Sequence, residues 1–253
     1  KNPWNYSNKD LLTMYRGATA DNECPLQIDK STQSCGKSRF GCWVCTMVEK
    51  DKSMEAMIAN DQEKEWMSSL LEFRNEFGNE EGDRERRSFR RMKGNLQGNY
   101  GKLFHGPYKK EIREQWLERL LSIQKDINEN GPEEFRSLEL IRIEELQAIR
   151  RIWVNDKHEF DDALPKIYEK VLGKSFIDPT WLHNENFGSE EWEILKRVCT
   201  EMYPDEKLAF EMMYTLIDVE NKASDVNQRK NILDDINKTL AKTFYKDEAD
   251  ATE

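Results

Sequence analysis

Lys110-Glu111-Ile112-Arg113-Glu114-Gln115-Trp116-Leu117-Glu118-Arg119-Leu120-Leu121-Ser122-Ile123-Gln124-Lys125-Asp126-Ile127-Asn128-Glu129-Asn130 is the stretch that decides the fold class. Its apolar positions Ile112, Trp116, Leu120, Ile123 and Ile127 recur every three or four residues, which places them on one face of an α-helix. Gly131-Pro132 stops the run, because glycine loosens the backbone and proline cannot donate the next helical hydrogen bond. The same rhythm extends outward in both directions. Upstream, Met54, Met57 and Ile58 open a helical pattern. Asp61 re-caps it before Trp66, Met67, Leu70, Leu71 and Phe77, with Gly78 as the stop. Nearer the start, Ser7 or Asn8 caps a short helix carrying Leu11, Leu12 and Tyr15. Downstream, Leu146, Ile149, Ile152 and Trp153 mark another helix. Ser189 caps the next, with Glu190 and Glu191 in the first turn where the helix dipole favours acids. Pro204 starts a run through Leu208, Met212 and Leu216, and Asp225 one through Ile232, Leu233, Ile236 and Leu240, before an acidic, frayed tail.

Between Phe89 and Pro107 the rhythm breaks. Four glycines and two asparagines without a sustained period predict a loop or a short β-hairpin. The expected fold is therefore mainly α: a helical bundle-like region with an irregular cysteine-rich loop near the start and one short β-hairpin. Residues 1–60 read as a cysteine-rich segment, and 61–253 as a helical region carrying a basic loop at 84–113.

The chain has 253 residues, with 39 Lys or Arg against 49 Asp or Glu, a formal net charge of −10. Its mean hydropathy is −0.90, and no apolar run approaches the roughly 20 residues of a membrane helix. No charged-then-apolar leader is visible, so a cytoplasmic protein with no membrane partner is expected. The average charge argues against a non-specific grip on nucleic acid. Locally the sign inverts. From Arg84 to Arg113 ten basic residues (Arg84, Arg86, Arg87, Arg90, Arg91, Lys93, Lys102, Lys109, Lys110, Arg113) face only Glu85 and Glu111, a net of +8 that leaves −18 for the remainder. Phe89, Tyr100 and Phe104 interleave with them. Such a block suits a polyanion, since the planar fork of arginine matches phosphate oxygens and glycines let the backbone approach. Arg84, Arg86, Arg87, Arg90, Arg91, Lys93 and Lys102 are the candidate DNA or phosphate contacts. The competing explanations are a solvated loop and an arm docked on the protein's own acidic helices.

Four of the five cysteines, Cys24, Cys35, Cys42 and Cys45, fall in one window with spacing C-x10-C-x6-C-x2-C; Cys199 lies apart in a helical pattern. Disulfides suit small secreted domains rather than an acidic, lysine- and glutamate-rich helical chain. Unrelated buried thiols would not cluster in this way. Metal binding remains. One C-x2-C knuckle with two solitary thiolates fits a structural zinc site or an iron–sulfur cluster. Lys37 and Arg39 offset thiolate charge, Phe40, Trp43 and Val44 shield a centre from water, and Gly36 and Gly41 let backbone amides approach sulfur. Spacing alone leaves zinc and iron–sulfur both open. The three histidines, His105, His158 and His183, form no metal-ligand or catalytic pattern.

The stretch Ser34-Cys35-Gly36-Lys37-Ser38-Arg39-Phe40-Gly41-Cys42-Trp43-Val44-Cys45-Thr46-Met47-Val48-Glu49-Lys50-Asp51-Lys52-Ser53-Met54 resembles the cysteine segment of the sulfurtransferases of DNA phosphorothioation systems, of the phosphoadenosine phosphosulfate reductase-like family. Asn2-Pro3-Trp4, Asn8 to Arg16, Gly106-Pro107-Tyr108, Ile149 to Trp153 and Asn186-Phe187-Gly188 share the likeness. The resemblance implies a transferase of bacterial DNA modification, of the restriction–modification type, that replaces a non-bridging phosphate oxygen with sulfur. It implies a [4Fe–4S] cluster on Cys24, Cys35, Cys42 and Cys45. It also implies DNA, a cysteine desulfurase as sulfur donor and the other phosphorothioation proteins as partners. The family's ATP-cleaving α/β half carries a Ser-Gly-Gly-x-Asp-Ser loop that this sequence lacks. The chain starts at Lys1, and is read as the back portion of a longer protein whose ATP site and catalytic residues lie elsewhere. The alternative is a non-enzymatic, zinc-tied helical module that binds nucleic acid or partner proteins.

Overall fold

The computed structural model describes residues 51–79, 81–91, 95–99, 102–157, 159–181, 188–204, 207–223, 229–242, 245 and 247–252. The protein is mainly α-helical with one small antiparallel two-stranded sheet, as the periodicity requires. The short helix expected at Leu11–Tyr15 and the cysteine loop lie outside the described residues. Two compact units form. One takes residues 51–85 and Arg119–Leu140, the other Arg86–Glu118 and Ile141–Glu253.

In the first unit, helix α1 (Lys52–Asn60) is capped by Asp51, whose Oδ1 accepts from the Met54 amide at 3.0 Å. A 3-10 turn (Gln62–Met67) follows, and the Asp61 carboxylate caps it by accepting from the Glu63 amide at 3.0 Å. Asp61 thus re-caps the chain where the sequence places it. Helix α2 (Ser68–Gly78) buries Leu70, Phe73 and Arg74, and Gly78 is its last residue. Helix α3 (Lys110–Asn130) contributes its second half, burying Leu121, Ile123 and Ile127. Arg119 pairs with Glu76 and lies 5.8 Å from the Phe73 ring centroid, while Trp66 stacks on Phe135 at 4.6 Å.

In the second unit, helix α4 (Ile143–Arg151) starts where Glu145 accepts from the Arg142 amide at 2.9 Å. It runs into a wide π turn (Ile152–Asp156), which buries Trp153 and leaves Ile152 exposed. Helix α5 (Ala163–Leu172) is one that the sequence reading missed, because Pro165 masks it. In the first turn the amide that proline lacks would be unpaired anyway, so Pro165 is tolerated there. Leu164 and Ile167 face inward, and Gly173, at φ 66°, ends the helix in the left-handed region that favours glycine. Helix α6 (Ser189–Met202) is capped at Gly188, one residue before the expected Ser189. The Glu191 carboxylate accepts from the Gly188 amide at 2.9 Å. Helices α7 (Lys207–Lys222) and α8 (Ile232–Lys242) complete the unit, with α7 packed against both α6 and α8. Phe160 and Trp192 centre a core with Val154, Leu195, Phe210, Tyr214 and Ile217. The Trp192 and Phe210 rings meet edge to face at 5.3 Å, a favoured aromatic geometry.

The hairpin forms where the helical rhythm breaks. At its base Arg87 bridges Tyr108, the Ser88 amide donates to Pro107 O at 2.8 Å, and the Gly106 amide donates to Ser88 O at 2.7 Å. Further out Phe104 donates to Gln97 O at 2.7 Å. Strands β1 (Gly98–Asn99) and β2 (Lys102–Leu103) then pair Gly98 with Leu103 and Asn99 with Lys102.

Candidate functional site

The four clustered cysteines, Cys24, Cys35, Cys42 and Cys45, lie outside the described residues, as do Lys93, Tyr100, His158 and His183. Cys199 is a free, buried thiol on α6. The site that can be built from geometry is therefore the basic hairpin.

Its cations divide into two kinds. Some are anchors. Arg87 lies 4.0 Å from the Tyr108 ring centroid and donates to the Tyr108 hydroxyl at 2.7 Å, and Arg86 lies 5.9 Å from the Trp116 centroid. Arg90, with its side chain only 12% exposed, pairs with Glu211 on α7 and donates to Tyr245 O at 2.5 Å. Lys110 meets Asp161 at 2.5 Å and stands 5.6 Å from the Trp192 centroid. Arg113 pairs with Glu159 and donates to Tyr108 O at 3.1 Å. These contacts fix the hairpin to the helices by charge-assisted bonds and cation–π contacts. Others are exposed. Arg91, Lys102 and Lys109 are exposed, with Arg91 donating to His105 O at 2.7 Å; Arg84 is exposed in the turn Asp83–Arg86. Phe104 is also exposed, while Phe89 lies half-buried with the Arg90 guanidinium 5.1 Å from its ring centroid. A hairpin with three outward cations and an open aromatic ring can hold phosphate oxygens and stack a base.

Beside the anchors sits a crowded set of charges. Burial is the main cause that raises the Glu114 pKa, opposed by Lys110 at 3.6 Å and reinforced by Asp161 and Glu159. Burial, then the neighbouring Arg113, lowers that of Lys157. Burial pushes the Tyr214 phenol up to about 12, with Glu211 adding to the effect. For Glu114 the folded state holds its proton more tightly than the unfolded one. Its contribution to stability is therefore complete below the ordinary glutamate range and is lost as pH rises through the raised value. Glu114→Gln removes that dependence, and Lys110 keeps Asp161 as its partner. The variant is expected to match the parent at pH 4 and to exceed it at pH 8 by no more than about 1 kcal/mol; urea unfolding at the two pH values checks this.

Several residues that matter here carried no local signal. Glu211, Asp161, Glu159 and Tyr245 are unremarkable in sequence, and His105, which forms no pattern, places Nε2 3.0 Å from the Glu248 carboxylate. The acidic stretch expected to fray is turned and bonded at 247–252: Asp247 Oδ1 accepts from the Asp250 amide at 2.9 Å. The opposition of sign between this stretch and the hairpin was the available clue. Among the described residues no helix is long and apolar enough to cross a membrane. Among them, too, no group of three or more His, Cys, Asp or Glu is arranged to hold a metal ion. Comparison of the chain with family models, curated proteins and solved structures finds no match.

Proposed function

We propose that this chain is part of a cytoplasmic iron–sulfur sulfurtransferase of the phosphoadenosine phosphosulfate reductase-like family, acting in DNA phosphorothioation. The observation that carries the reading is the cysteine quartet, set in the specific stretch Ser34 to Met54. Four thiolates at Cys24, Cys35, Cys42 and Cys45 are the donor set of a [4Fe–4S] cluster, and the flanking Lys37 and Arg39 favour the thiolate form. When bound, such a cluster supplies iron-held sulfide and one-electron chemistry. Phosphate is a poor electrophile, so its oxygen must be activated, by ATP in the family, before sulfur can displace it. This chain's own contribution on the DNA side would be the outward cations Arg91, Lys102 and Lys109, with Arg87 and Arg90 holding the hairpin in shape.

Metal analysis of the chain purified without oxygen tests the reading. Brown protein with broad absorbance near about 400 nm and about four iron and four sulfide per chain is expected. Cys42→Ser should abolish most of the colour while leaving the helical signal intact. Colourless protein holding one tight zinc would overturn the reading in favour of a zinc-tied module that binds nucleic acid or partner proteins.

A further inference from the structure

The hairpin is not bare. Arg90 spends one arm of its guanidinium on Glu211 and the other on the carbonyl of Tyr245, in the acidic segment after α8. His105, with its side chain only 8% exposed, meets Glu248 of the same segment at 3.0 Å. The segment is shaped by its own bonds: the Ala251 amide donates to Asp247 O at 3.2 Å, and the Thr252 hydroxyl donates to Glu248 O at 3.0 Å. Residues 246–253 carry four carboxylate side chains against one lysine. One acid of the segment, Glu248, thus lies against the basic hairpin, with Asp247 and Asp250 close to it along the chain.

We propose that the segment 245–252 is an intramolecular competitor that occupies the basic hairpin and holds nucleic-acid phosphate off it. The inference rests on the reading that this hairpin meets DNA. Arg91, one of the outward cations, donates to His105 O, so the Glu248 carboxylate on the His105 ring stands beside that cation, draws on its charge and repels an incoming phosphate. The segment need not bind strongly. Helix α8 ends at Lys242, three residues before Tyr245, and so short a tether holds the acids at an effective concentration in the millimolar range. DNA then binds only to the fraction of molecules in which the segment has lifted, and its apparent affinity falls by that fraction. Salt screens both the attraction of phosphate to the outward cations and its repulsion by the acids of the segment.

The test compares the full chain with a variant carrying Asp247→Asn, Glu248→Gln and Asp250→Asn, titrated with a short labelled duplex over a salt series. A second variant, with Glu190, Glu193 and Glu201 of α6 neutralised, changes net charge equally but away from the segment. The first variant should bind about three- to tenfold more tightly at low salt, with the advantage shrinking as salt rises, and the second less than about twofold more tightly. On adding duplex to the full chain, the Asp250 and Ala251 amides should exchange faster. Equal duplex affinity for all three proteins, or amide protection that duplex leaves unchanged, overturns the competitor and leaves the DNA-binding reading standing. Absence of binding by every form at the lowest salt overturns both.

Discussion

Arg150→Met is expected to lower the stability of its unit by about 3–5 kcal/mol, the usual cost of stranding buried partners of a removed charge. The Arg150 side chain is 8% exposed. Its Nε donates to both Asp162 oxygens, at 2.9 and 3.1 Å, and Nη1 stands 3.9 Å from Asp178 Oδ2. The guanidinium lies 3.8 Å from the Trp181 ring centroid and 5.9 Å from that of Phe176. Methionine fills much of the volume but returns no charge. The Asp178 side chain, 0% exposed, would lose the cation beside it while keeping its bonds from the Thr180 amide and hydroxyl. Asp162 would lose the grip that holds it at φ 46°, a left-handed conformation that aspartate tolerates better than most residues but which still strains it. A fall in Tm of roughly 10 °C follows for a unit of this size. Adding Asp162→Asn and Asp178→Asn should recover part of the loss, because the stranded charges disappear with their partner. An unfolding midpoint unchanged in Arg150→Met would show that the triad contributes no net stability.

Gly106→Ala should open the base of the hairpin. A β-carbon at 106 would lie 2.0 Å from Arg90 O and 2.9 Å from both Arg90 C and Arg91 Cα, all of them backbone atoms that cannot swing aside. The strands must part, breaking the bonds between Gly106 and Ser88 and between Ser88 and Pro107. Each lost backbone bond costs about 1 kcal/mol, and strain adds to it, for a total of roughly 2–4 kcal/mol. Hydrogen exchange locates the damage: the Ser88, Gly106 and Phe104 amides should lose protection while those of α1 and α2 keep theirs. Retained protection at Ser88 would mean that the backbone absorbs the methyl group without parting.

Element identity was legible because each helix carries its own apolar stripe. Ile123 and Ile127 announce α3 without help from any distant residue, and Asp61 announces its cap by standing before an apolar run. Helix α5 was hidden because Pro165 reads as a breaker until its place in the first turn is known. The cap of α6 stands at Gly188, one residue before the serine that the pattern singles out, and the Glu191 carboxylate satisfies the Gly188 amide. The partners of the basic block were beyond local reading. Arg90 and Glu211 are 121 residues apart, Arg90 and Tyr245 155, and His105 and Glu248 143. Charge pattern says that opposite signs will attract, but only the tertiary fold says which cations are consumed in holding the hairpin and which remain for a ligand. The cysteine quartet is the reverse case, legible in spacing and chemistry while its geometry falls outside the described residues.

Neither compact unit is one uninterrupted length of chain. The polypeptide leaves the first at Glu85, builds Arg86–Glu118 into the second, and returns partway along α3 at Arg119. No single scission can therefore deliver both intact. A cut after Glu85 deprives the first of Arg119–Leu140, and a cut after Leu140 deprives the second of the hairpin and the start of α3. Attempts to express the two pieces separately would have to graft or permute the chain, and a protease that nicks either boundary yields fragments that remain dependent on each other.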